Sequence, residues 1–159
     1  MTNTKVIHTP YIKFAIWTLT GIAIFVGALL INQPQSVAAD GIVYKSPTCG
    51  CCADWITHME KNGFKLEVHD QPDMWPIKKK MGVPSNLQSC HTAMVGGYVI
   101  EGHVPADVIA RLLKEKPVIK GLAVPGMPMG SPGMEGPRKD PYDVVTFDKD
   151  GKTTIYTSR

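Results

Sequence analysis

Eighteen consecutive residues, Phe14–Ile31 (FAIWTLTGIAIFVGALLI), carry no charge and set the first limit on what this chain can fold into. At about 1.5 Å per helical residue the run spans roughly 27 Å, close to the thickness of a bilayer core. Only Lys5 and Lys13 precede it, and no basic residue follows before Lys45. The positive-inside rule then puts the N-terminus in the cytoplasm and the rest of the chain across the membrane. Val37 and Ala39 are small residues spaced as in a signal-peptidase site, which predicts cleavage after Ala39. The run is longer than the usual secretory core of about 7–15 residues, so an uncleaved single-helix anchor is the competing reading. Residues 1–39 are therefore read as a signal peptide or single transmembrane anchor, and residues 40–159 as one exported domain. In a Gram-negative cell that domain is periplasmic, soluble if cleaved and otherwise anchored in the inner membrane.

The exported part is long enough for a single packed core. Of the chain's 17 basic residues two lie in the leader, while all 14 acidic residues lie beyond it, so the domain is nearly neutral. Such a balance gives no electrostatic footprint for nucleic acid. Four cysteines are too few for a disulfide-dense scaffold and enough for one metal or redox site. There is no phosphate-binding glycine loop, no paired-carboxylate signal and no Ser-His-Asp arrangement.

Apolar patterning orders the domain. Gly41–Lys45 reads as a strand, broken at Ser46-Pro47-Thr48. From Cys51 to Asn62 the pattern is helical, with Trp55, Ile56 and Met59 on one face and Gly63 as a stop. Phe64–His69 alternates as a second strand. Asp73-Met74-Trp75-Pro76 opens a second helix with Pro76 in its first turn. Ile77 and Met81 share a face of that helix, and Lys78–Lys80 reads as a solvated one. Thr92–Val95 and Tyr98–Glu101 flank the two-residue turn Gly96-Gly97. Val104-Pro105-Ala106-Asp107 opens a third helix, which Pro117 stops. Strand–helix–strand–helix–hairpin–helix requires a parallel first pair with a right-handed crossover. This is the thioredoxin and glutaredoxin order: an α/β fold with a small mixed sheet and flanking helices. Pro117–Pro137 holds five prolines, five glycines and three methionines, and is expected to be neither helix nor strand. Tyr142–Phe147 and Lys152–Thr157 close the chain as a second hairpin.

The chemistry concentrates at Cys49-Gly50-Cys51-Cys52, between the first strand and the first helix. Cys49 and Cys52 have the CxxC spacing of a redox pair, and a helix N-terminus favours a thiolate there. Cys51 is what a plain redox pair lacks. Three thiolates on one turn fit a single tetrahedral ion poorly and suit several sulfur-bridged ions better. In a thioredoxin core the loop before the third strand faces the CxxC turn, so Cys90 is expected against the other three. His91 stands where that fold usually carries a proline. Thiolates select Cu(I), zinc or iron–sulfur clusters. Zinc favours two separated CxxC knuckles, and an exported chain lacks cluster assembly. Thioethers at Met127, Met129 and Met134 add soft donors, which tilts the reading to copper.

CGCC, SCHTA, GYVIEGHVP, GLAVPGMPMGSPGM and a final Tyr-x-Val hairpin together resemble the periplasmic CopG-like copper-resistance family, over about Val43–Tyr156. The resemblance implies a thioredoxin-like domain with copper on Cys49, Cys51, Cys52 and Cys90. It also implies a multinuclear, cysteine-bridged cluster and a role in cycling Cu(I) and Cu(II). His91, His103, Met127, Met129 and Met134 are further candidates to hold or support the metal. His58 and His69 read as surface or helix-face residues, and Met59, Met74, Met81 and Met94 as core. Trp55 and Trp75 read as core or as shields of the site. Copper ions are the expected partner, with other periplasmic copper-handling proteins as candidates. The alternative function is a thiol–disulfide oxidoreductase, with Cys49 as nucleophile and Cys52 as resolving thiol.

Overall fold

The computed structural model describes residues 39–159. The leader, whether signal peptide or anchor, lies outside the described residues. Among those described, no helix is long and apolar enough to cross a membrane.

Seven strands form one mixed sheet in the order β2-β1-β3-β4-β5-β6-β7. They are β1 (Gly41–Lys45), β2 (Leu66–Asp70), β3 (Thr92–Val95), β4 (Tyr98–Glu101), β5 (Gly121–Ala123), β6 (Asp143–Phe147) and β7 (Thr153–Ser158). Three helices accompany them: α1 (Gly50–Lys61), α2 (Trp75–Met81) and α3 (Ala106–Glu115), with a short 3-10 turn at Ser85–Leu87. β1 and β2 are parallel, β3 is antiparallel to β1, and β4 is antiparallel to β3. That block is the expected thioredoxin-like core. The second strand begins two residues later than its alternation suggested, because Phe64 still closes α1, its N–H bonded to the Met59 carbonyl at 3.1 Å.

Strand alternation sends successive side chains to opposite faces, and both faces are covered. Val43, Ala93, Val95, Ile100, Leu122 and Val144 meet Trp55, Ile56 and Met59 of α1 and Val108, Ile109 and Leu112 of α3. Cys52, Trp55, Ile56 and Met59 recur at helical spacing as the buried stripe of α1. On the other face Val99, Ala123 and Phe147 meet Val83 and Leu87, with Met81, Met94 and Val145 packed alongside.

Three expectations need correction. The proline- and glycine-rich segment contains β5, which pairs in parallel with β4 and antiparallel with β6, so the last hairpin extends the main sheet. Three residues are too few to register in a composition dominated by turn formers. Gly121 permits the pairing: a Cβ there would lie 2.0 Å from the Val99 carbonyl oxygen. Lys78 is not solvated; it is 5% exposed, while Lys79 and Lys80 are exposed. It lies one helical turn from Met81 and shares the face of α2 that packs on the sheet. Trp75 is neither core nor shield, since it is 58% exposed with the Lys79 ammonium over its ring.

Candidate metal centre

Cys49 is the N-cap of α1 and makes no side-chain capping bond, which leaves its sulfur to other partners. The first-turn N–H groups of the helix lack intrahelical acceptors, so the sulfurs stand at the positive end of its dipole. Cys49 and Cys52 are joined by a disulfide. Cys51 Sγ lies 3.6 Å from Cys49 Sγ and 3.9 Å from Cys90 Sγ. Cys90 comes from the loop before β3, so the distal thiol does fold back onto the triplet. Ligand atoms of Cys49, Cys51, Cys52 and Cys90 all fall within 4.8 Å of one another. Cys51 and Cys90 are free thiols.

A second group, Cys90, His91 and His103, shares that sulfur. Cys90 Sγ is 3.2 Å from His91 Nδ1 and 3.0 Å from His103 Nε2. His103 Nδ1 lies 2.8 Å from the Pro132 carbonyl oxygen. A carbonyl only accepts, so Nδ1 carries the proton and Nε2 turns a lone pair toward Cys90. A backbone carbonyl fixing the tautomer in this way is the usual preparation of a histidine that serves a metal site. Burial holds His103 and, more strongly, His91 below the ordinary histidine range, so both rings are neutral near pH 7. His91 Nε2 is buried without any partner. The Trp55 ring packs 4.4 Å from the His91 ring, and its Nε1 donates to the Val104 carbonyl at 2.9 Å. The Cys90 thiol is pushed up to about 12, chiefly by burial and then by the neighbouring Cys51.

The methionine-bearing loop reaches the centre through its backbone. Ser131–Met134 folds over α1 so closely that a Cβ on Gly133 would lie 2.6 Å from the Cys51 carbonyl oxygen and 2.7 Å from Trp55 N. Met127 is 53% exposed, and Met129 and Met134 are half-buried. The Met129 sulfur folds back on its own loop, lying 2.4 Å from where a Gly136 Cβ would be. His58 and His69 stand apart from the sulfurs. His58 Nε2 accepts from Ala106 N at 3.1 Å, and His69 pairs with Glu67 at 2.7 Å.

Sequence reasoning missed the polar support behind the Cys90 loop. Glu101 is fully buried, and its carboxylate accepts from Lys78 Nζ, Ser89 N and Thr92 Oγ1 at 2.5, 2.6 and 2.6 Å. Burial raises its carboxyl, and the Lys78 ammonium and the other donors oppose that rise. One signal was present: Glu101 occupies the same strand register as Val99, a buried position.

Two solved structures described as copper resistance protein CopG, form 2 and form 1, are each 46% identical to this chain with a TM-score of 0.71. The match covers 75% of this chain and 96% and 95% of theirs. The chain belongs to the CopG copper-resistance family. A family model described as a protein of unknown function, DUF411, matches residues 87–134, the stretch from the 3-10 turn through Cys90 to the methionine loop. No curated protein matches. In this CopG-family chain the donor set suits a soft ion. Two free thiols, two more sulfurs once the Cys49–Cys52 disulfide is reduced, and two neutral histidine rings beside Cys90 are donors of the kind a thiophilic metal uses, and hard cations need oxygen.

Proposed function

We propose that this protein binds copper in the exported compartment as part of copper resistance, with Cys49, Cys51, Cys52 and Cys90 as thiolate ligands. The supporting observation is the approach of Cys90 Sγ to Cys51 Sγ, 3.9 Å apart although 39 residues separate them in sequence. Sulfurs this close reach a common ion, and with three cysteines on one turn fitting a single tetrahedral ion poorly, the reading is a cluster of several Cu(I) ions held through shared thiolates. Soft ligands favour the softer oxidation state and stabilise Cu(I) over Cu(II). His103, through Nε2, and His91 complete the donor set around Cys90. The loop methionines, with Met127 the most exposed, hand ions between solvent and the sulfurs. Residues 1–39 deliver the domain across the membrane, as signal or anchor. Cycling between Cu(I) and Cu(II) is the redox function such a cluster supports.

The oxidised pair sets a condition. Cys49 and Cys52 become ligands only after their disulfide takes up two electrons and two protons, giving two thiols that then lose their protons to the metal. The same disulfide favours a second reading, thiol–disulfide exchange with Cys49 as nucleophile and Cys52 as resolving thiol.

Anaerobic loading of the reduced exported domain with Cu(I), followed by copper analysis and X-ray absorption, separates the two. The expected result is more than one copper per chain, sulfur-dominated ligation with short copper–copper vectors, and a lower ratio in Cys90→Ser. One copper or fewer per chain, unchanged by Cys90→Ser, overturns the cluster. Undiminished disulfide exchange in Cys51→Ser, in a protein that never takes up metal, establishes the second reading.

A further inference from the structure

One buried carboxylate touches both flanks of the Cys90-His91 pair. Glu101 Oε1 accepts from the Ser89 backbone N–H at 2.6 Å, on one side of the pair. Glu101 Oε2 accepts from Thr92 Oγ1 at 2.6 Å, on the other. Lys78, reaching in from α2, donates to Glu101 Oε1 at 2.5 Å and to Thr92 Oγ1 at 3.0 Å. The backbone after Glu101 adds a further tie, from Gly102 N to the His91 carbonyl at 3.0 Å. The carboxylate itself is held on the sheet, because Glu101 pairs with Thr92 of β3 and Ala123 of β5.

Such a network is a poor device for stability alone. Removing two charges from water costs about what their attraction returns, and an apolar pair of similar volume often serves as well. What an apolar pair cannot do is grip the Ser89 N–H and the Thr92 hydroxyl at once. We propose that Glu101, seated by Lys78, is a positioning residue that clamps the Ser89–Thr92 loop and so fixes the Cys90 sulfur against Cys51. The inference rests on the copper reading for its purpose and not for its geometry. The clamp acts in the metal-free protein and sets where the distal thiol waits.

The test compares two double variants in the reduced, metal-free exported domain. In Lys78→Met/Glu101→Gln the amide oxygen still accepts from Ser89 N and the amide N–H₂ donates to Thr92, so the clamp persists without charge. In Lys78→Met/Glu101→Leu the space is filled and the clamp is gone. Alkylation of Cys90 by iodoacetamide, read on its own peptide by mass spectrometry, and amide exchange at Ser89 report the loop directly. The glutamine variant is expected to stay within about threefold of the parent, and the leucine variant to rise about tenfold or more at both sites. On loading with Cu(I), the leucine variant alone is expected to change the X-ray absorption signature. A folded leucine variant with parental alkylation and exchange overturns the clamp. Should that variant not fold, Thr92→Val severs one arm at nearly constant volume. A rise of about threefold in Cys90 alkylation then supports the clamp, and no rise overturns it. If the parent takes up no copper, the copper reading falls, while the alkylation and exchange results still decide the clamp.

Discussion

On one face of the sheet, six strand side chains from Val43 to Val144 pack with residues of α1 and α3 in a cluster of fifteen buried apolar residues. On the other, five buried apolar residues share the space with a lysine, a glutamate and a threonine that are hydrogen-bonded to one another. The first face holds the chain together, because burying apolar area is the dominant favourable contribution to folding. The second face holds a loop in place, because directional bonds fix geometry where apolar contacts tolerate sliding. Both faces end at the sulfurs. α1 presents Cys51 and Cys52 from the apolar side, and the Glu101 network holds Cys90 from the polar side. The site is made where a stiff helix meets a tethered loop.

The largest effect expected from the apolar face is Trp55→Ala, which removes a fully buried indole that also donates to Val104 and stacks on His91. It is expected to cost about 3–5 kcal/mol in denaturant unfolding. A loss below about 1 kcal/mol contradicts the division between the faces. On the polar face, Lys78→Met alone is expected to cost about 3–5 kcal/mol, since it strands the Glu101 carboxylate, whereas Lys78→Met/Glu101→Leu is expected to cost less, about 1–2 kcal/mol, from the Ser89 N–H and the Thr92 hydroxyl left without their acceptor. Equal large losses in both variants make the ion pair a stability element and collapse the comparison.

Next in size is Gly121→Ala, which drives a methyl into the Val99 carbonyl at the β4–β5 junction. A loss of about 1–3 kcal/mol is expected in the same measurement. At the centre itself, His103→Ala is expected to weaken Cu(I) binding about 10–100-fold in competition with a chelator, and to cost about 1–3 kcal/mol in unfolding because the ring is fully buried and bonded to the Pro132 carbonyl. An unchanged affinity removes His103 from the site.

The smallest effect is a pH dependence. His58, His91 and His103 are all shifted below their ordinary range by burial, so in the folded protein each takes up its proton at a lower pH than in the unfolded chain. The unfolded chain protonates them near pH 6.5, so below that value it binds more protons than the folded state. Stability is therefore full above about pH 6.5 and falls as the pH drops through that range toward the depressed folded values. Glu101, raised by burial, works in the opposite direction closer to the carboxylate range. Urea midpoints at pH 7.5 and 5.5 measure the difference, and a midpoint that rises on acidification contradicts the downward shift of the three histidines.

Patterning alone identified β1, α1, the Gly96-Gly97 hairpin, α3 and the closing hairpin, because each carries its own period or turn signal. It also led to the Cys49–Cys90 proximity, through the one chain order that puts the loop before β3 opposite the start of α1. It missed β5, where three small or apolar residues depend on β4 and β6 for their pairing. It missed the buried Lys78, since a lysine among lysines has no local mark of burial. It missed the solvated Trp75, whose apolar character suggested the interior.

The spacing of Cys49, Cys51 and Cys52 and the soft donor chemistry are properties of the sequence, because three cysteines in four residues are neighbours in any fold. Their meeting with Cys90, the aim of His103 Nε2 and the grip of Glu101 on the loop belong to the tertiary structure. Each depends on residues many positions apart whose approach only strand pairing, helix packing and the closed-down glycine loop could bring about.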